Sequence, residues 1–75
     1  MNIKNLLHQS STRLADFTET AHLETELLLA AVLNVDRTYL HGYPEQTLSE
    51  EQQSCFQELL QRRIKREPIA YILGE

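Results

Sequence analysis

The chain has 75 residues, of which 41% are hydrophobic, and it carries a net charge of −4. This length allows one domain at most, and the hydrophobic content supports a small core and argues against disorder. A single cysteine excludes a disulfide framework and is more typical of the reducing cytosol than of secretion. We therefore expect a cytoplasmic protein with no signal peptide and no membrane-spanning helix.

The charges are unevenly distributed along the chain. Residues 1–61 carry three basic side chains against nine acidic ones, whereas residues 62–75 carry four against two. A general nucleic-acid-binding protein needs a broad basic face, so the acidic body argues against direct binding to nucleic acid, including by a helix-turn-helix that uses the basic cluster. That cluster, residues 62–66, complements the dipole at a helix end, and it is also a candidate docking site for an acidic partner or another domain.

Apolar residues recur at helical spacing from the N-terminus onward, with no alternation typical of strands. Asn2 is a predicted N-cap for a first helix, whose inner face consists of Ile3, Leu6, Leu7 and Leu14. The next segment, "AHLETELLLAAVLN", is apolar on nearly every side from Leu27 onward, which predicts a buried central helix. Thr20 is its predicted cap, and Asn34 ends it because asparagine tolerates the left-handed conformation.

The second half of the chain predicts three further elements. Asp36 caps a short helix closed by Gly42 and Pro44, and Ser49 with Gln52 forms an S-x-x-Q capping box for a longer one, although Thr47 offers a competing start. The apolar stripe of the longer helix is Cys55, Phe56, Leu59, Leu60 and Ile64. A last short helix, "PIAYIL", starts at Pro68 and stops at Gly74. The fold class is therefore an all-α bundle of four to five helices with a largely buried central helix.

No catalytic, cofactor-binding or metal-binding residue is predicted within the chain. His8, His22 and His41 have no metal-ligand spacing and are expected at the surface or half buried, while Cys55 is expected in the core. Glu24 and Glu26 point about 200° apart on a helix and cannot act as an acid–base pair, so we expect them on its solvent-facing or starting side.

A partner surface has a weaker but recognisable signal. Tyr39 and Tyr43 can stack on one face around Arg37, and tyrosine and arginine are favoured interface anchors, although packing of a short helix accounts for them as well. The candidate contacts with a partner or another domain are Arg37, Tyr39, Tyr43, Arg62 and Arg63.

Leu23 to Glu75 contains a series of landmarks in a characteristic order. It begins with "ETELL", continues through a short turn that contains arginine and a "LSEEQ" helix start, and ends with R-R-x-x-x-E-P-I-A-Y-I-x-G over residues 62–74. This order and spacing resemble the N-terminal domain of the release-factor glutamine N5-methyltransferases, the HemK/PrmC family. The chain departs from the family pattern in three places: Arg66 and Asn34 each replace a glycine, and Glu24-Thr25-Glu26 stands where the family has Asp-Ala-Glu.

The resemblance implies a helical substrate-docking domain over residues 1–73 and a linker that begins at 74–75. A methyltransferase domain that binds S-adenosylmethionine is expected beyond it, so this part of the protein is expected to hold no cofactor and to catalyse nothing by itself. The implied partners are class 1 peptide release factors, methylated on the glutamine of their Gly-Gly-Gln motif, and the implied state is a monomer. The alternative is a stand-alone acidic helical interaction or carrier module, although Ser49 lacks the Asp-Ser-Leu context of a carrier protein.

Overall fold

A computed structural model describes residues 1–74, and within that range the chain forms five helices. These are α1 (Ile3–Leu14), α2 (Ala21–Leu33), α3 (Arg37–Gly42), α4 (Glu50–Ile64) and α5 (Ile69–Ile72). The predicted all-α bundle is confirmed. Of the predicted linker at 74–75, Glu75 lies outside the described residues. No helix in residues 1–74 is long and apolar enough to cross a membrane.

Helix α2 lies at the centre of the bundle, as its apolar sequence predicts. It packs against α1, α3 and α4, whereas α5 packs against α4. The core is closed by side chains from every helix and from the segment before α4, with the largest contributions from Ile3, Leu6, Leu14, Leu28, Leu29, Leu40, Leu48, Phe56 and Leu60. Because α2 is covered on three sides, little of its surface is left for solvent.

Most of the predicted helix caps form. Backbone N–H groups three residues further on donate to the side chains of Asn2, Asp36 and Ser49. Gln52 completes the capping box by accepting from the Ser49 backbone at 2.9 Å. Asn34 takes the left-handed conformation with φ 57° at the end of α2, as predicted. These contacts are local, so the sequence pattern is enough to place them.

Two local predictions are wrong. Thr20 precedes α2 but its side chain caps no backbone group. Cys55 is exposed rather than part of the core, because the buried stripe of α4 is narrower than its apolar residues indicate and centres on Phe56 and Leu60.

The connection between α3 and α4 is fastened to the start of α1. The backbone N–H groups of Ile3 and Lys4 donate to the carbonyl oxygens of Gln46 and Pro44, at 3.1 and 2.8 Å, and Leu48 donates back to Met1. A short helix such as α3 has little stability of its own. These bonds therefore hold α3 beside the first turn of α1, where the two helices share one surface.

Candidate functional site

The candidate site is built around the buried carboxylate of Glu26, whose side chain is 1% exposed. Its Oε1 accepts from the Nε and a terminal nitrogen of Arg37, at 3.1 and 3.0 Å. Its Oε2 faces the Nε2 atoms of His41 at 2.9 Å and His22 at 3.3 Å. Glu24 and Glu26 are predicted on the solvent-facing or starting side of α2. Glu24 does lie in the first turn of the helix. Both side chains are buried, however, so the solvent-facing alternative is wrong.

A groove opens beside this cluster between α1, α2 and α3. Its cavity volume is about 510 Å³, with Leu7, Leu40 and Pro44 among its apolar lining residues. Its polar lining includes Lys4 and all three histidines of the chain: His8, His22 and His41. No group of three or more His, Cys, Asp or Glu side chains in residues 1–74 is arranged to hold a metal ion.

The histidines show what sequence spacing leaves unseen. His22 and His41 are exposed, as expected for surface residues. They nevertheless face one carboxylate oxygen, although 19 positions separate them in the chain. One local signal was available, since His22 and Glu26 stand at i and i+4 on the same helix. The contribution of His41 depends on how α3 packs against α2.

The two predicted tyrosines do come together on α3. The ring centroids of Tyr39 and Tyr43 lie 4.5 Å apart with an interplanar angle of 33°. The Tyr39 hydroxyl donates to Gln46, which fixes its ring, and Tyr43 remains 56% exposed. The Arg37 guanidinium is bound to Glu26, so it anchors α3 to α2. Tyr43 therefore presents an exposed ring that packs against Tyr39, one residue before Pro44 of the groove lining.

Arg63 makes a long-range ion pair rather than simply complementing the dipole of α4. Its Nε donates to Glu24 Oε1 at 2.5 Å, and the hydroxyls of Thr18 and Thr20 donate to the other oxygen at 2.7 and 2.6 Å. Burial raises the pKa of Glu24, but the hydrogen bonds from Arg63, Thr20 and Thr18 outweigh it, so the pKa lies below its ordinary value. This network joins α2 to the end of α4.

Arg62 belongs to the same corner of the molecule. Its guanidinium donates to both carboxylate oxygens of Glu67, each at 3.1 Å, which lowers the pKa of Glu67 and raises that of Arg62. Arg63 also donates to the Glu67 carbonyl oxygen at 3.1 Å. Arg66 between them has φ 74°, the left-handed conformation expected where the family pattern has glycine. Both predicted contact arginines thus have partners within the domain, and their role toward a partner stays a prediction.

The fold and the surface together define a small all-α domain with a largely apolar central helix that carries two buried glutamates, and with a histidine-lined groove. The family model of the PrmC N-terminal domain matches residues 5–74, so the chain belongs to this family.

Curated relatives agree with this assignment. A release factor glutamine methyltransferase of Shewanella oneidensis is 44% identical over 73 residues, which are 97% of this chain and 26% of the relative. Its counterpart in Coxiella burnetii is 41% identical over 75 residues, covering all of this chain and 27% of the relative. The chain therefore spans about a quarter of the length of the curated relatives it matches.

Proposed function

We propose that this chain is the N-terminal, substrate-docking domain of a release factor glutamine methyltransferase. The observation that carries the proposal is the family match over residues 5–74, together with relatives of that name that are about four times longer. In the proposed protein, the domain occupies residues 1–73 and a linker begins at 74–75. The remainder of the protein binds S-adenosylmethionine, which supplies the methyl group for the glutamine of the Gly-Gly-Gln motif in class 1 release factors.

A separate docking domain suits this reaction for a physical reason. A single glutamine loop offers little contact area, whereas a specific interface between proteins normally buries about 1,200–2,000 Å² in total. Discrimination of one protein substrate therefore needs contacts far from the reacting amide. A small helical domain supplies such contacts without taking part in methyl transfer.

The surface that we assign to the release factor is the side of α3 with the adjoining groove. Tyr43 is an exposed aromatic ring held against Tyr39, and held aromatic rings bind with little loss of side-chain freedom. Lys4 and the histidines give the groove a polar rim above apolar lining residues. Arg37 supports this surface from below through Glu26. An apolar centre with a polar rim is the usual anatomy of a protein interface.

The test uses the full-length methyltransferase with two substrates. Tyr43→Ala is expected to raise KM for an intact release factor by roughly tenfold or more, as for loss of an aromatic anchor. A short Gly-Gly-Gln peptide should be methylated as before, because its contacts lie in the catalytic part. Phe17→Ala is the matched control: this side chain is also exposed but lies beyond the far end of α1.

Three results would contradict the proposal. Equal losses on the intact factor and the peptide after Tyr43→Ala would place the effect in the catalytic part rather than in docking. An unchanged KM for the intact factor would remove α3 from the docking surface. Residues 1–75 alone should bind no S-adenosylmethionine, and specific micromolar binding in calorimetry would contradict the proposed division of labour.

A further inference from the structure

Helix α5 has an apolar outer face that nothing in residues 1–74 covers. Its inner side packs on the bundle through Ile72, which is buried, with Ile69 and Leu73 half buried. Its outer side exposes Pro68, Ala70 and Tyr71, and the Tyr71 side chain is 70% exposed. Residues 68–74 contain no charged side chain, although the chain as a whole is 24% charged.

This face is held in a defined orientation. The chain passes from α4 to α5 through Arg66, which has the left-handed φ of 74°. The next residue, Glu67, accepts hydrogen bonds from two arginines: Arg62 donates to its carboxylate and Arg63 donates to its carbonyl oxygen. Arg63 is tied in turn to Glu24 of the central helix. A surface that is already ordered loses less entropy on binding than a flexible one.

We propose that the outer face of α5 is the surface on which the methyltransferase domain docks in the longer protein, an inference that rests on the proposed function. In the relatives, about three quarters of the sequence lies outside the stretch matched by this chain. Since this is the N-terminal domain of its family, that remainder continues from the end of α5. A domain tethered this close has a high effective concentration at the neighbouring face.

The chemistry of the face fits such an occupant better than a release factor that must come and go. Interface cores are depleted of charged residues and enriched in tyrosine. Tyrosine adds a large apolar area together with a hydroxyl that can find a partner at the edge of the contact. The two exposed tyrosines thus receive different roles: Tyr43 at the end of α3 meets the substrate, and Tyr71 on α5 meets the neighbouring domain.

Amide hydrogen exchange, followed by mass spectrometry on residues 1–75 and on the full-length methyltransferase, tests this assignment. The amides of Tyr71, Ile72 and Leu73 bond only within the single turn of α5, so they should exchange quickly in the short chain. In the full-length protein they should exchange at least about tenfold more slowly, because docking suppresses local opening. Tyr71→Ser in the full-length protein should restore the fast rate, whereas the matched change Tyr43→Ser should not.

Three outcomes would overturn the inference, and two of them would identify a different occupant of this face. Equal exchange rates of α5 in the short and full-length proteins would show that no domain covers it. Slowing that appears in residues 1–75 as their concentration rises would identify a second copy of the chain. Slowing that requires added release factor would identify the substrate. If α5 is protected but release factor is not methylated, the proposed function fails while the docking surface stands. If release factor is methylated but α5 is not protected, the docking surface fails while the proposed function stands.

Discussion

Arg37 is partly exposed, but its ion pair with the buried Glu26 should stabilise the fold more than an ordinary surface ion pair does. Removing the cation with Arg37→Gln leaves a carboxylate that is 1% exposed without its permanent counter-charge. Breaking a buried pair in this way costs about 3–5 kcal/mol. We expect about 3 kcal/mol, the lower end, because His22 and His41 still face the other carboxylate oxygen.

Removing the negative charge instead should cost less stability. Glu26→Gln keeps the side-chain volume, and the Arg37 side chain, already 47% exposed, regains water. What is lost is the charge assistance of its hydrogen bonds, about 1–2 kcal/mol. The double variant should be close to Glu26→Gln alone, since no buried charge is then left unpaired. The two changes should therefore be coupled by about 3 kcal/mol, which is the cost of Arg37→Gln alone.

Urea unfolding followed by far-UV circular dichroism measures these free energies. A domain of 75 residues is expected to have a stability of roughly 4–11 kcal/mol, so Arg37→Gln should remain folded with a clearly lower midpoint. Arg62→Gln is the matched control, because it breaks an ion pair whose two members both lie at the surface. The reasoning fails if Arg37→Gln lowers the midpoint no more than Arg62→Gln, or if the Arg37 and Glu26 changes are additive.

Three further predictions concern other parts of the fold. Leu28→Ala should destabilise by about 2–5 kcal/mol, because this side chain is fully buried in the central helix, and a loss below about 0.5 kcal/mol in urea unfolding would contradict its place in the core. Arg66→Gly should raise the melting temperature, since it relieves roughly 1 kcal/mol of left-handed strain at φ 74°; an unchanged or lower value would show that the corner is not strained. The lowered pKa of Glu24 contributes stability that is present above the ordinary value of 4.5 and is lost as the pH falls through the folded value. Melting curves below pH 4.5 should therefore show a steeper loss in the parent protein than in Arg63→Gln, and parallel curves would refute that assignment.

The sequence determined the elements of this protein because the interactions that define them are local. The caps at Asn2, Asp36 and Ser49 join residues three positions apart, and the left-handed end of α2 depends on Asn34 alone. Apolar residues on nearly every side from Leu27 onward were enough to identify α2 as the buried centre. The order of landmarks over residues 62–74 was enough to indicate the family, which the family match confirms.

The polar network, by contrast, was decided by the tertiary structure. Glu24 and Arg63 lie 39 positions apart, and Glu26 meets Arg37 and His41 only because α3 folds back onto α2. A glutamate pattern at the start of a helix reads as solvent-exposed, since burying a carboxylate is unfavourable without partners that the local sequence does not reveal. The same holds for Cys55, which is exposed although its helical spacing groups it with Phe56 and Leu60. Local hydrogen bonds and periodicity specify helices, whereas the environment of each charge depends on which helices meet.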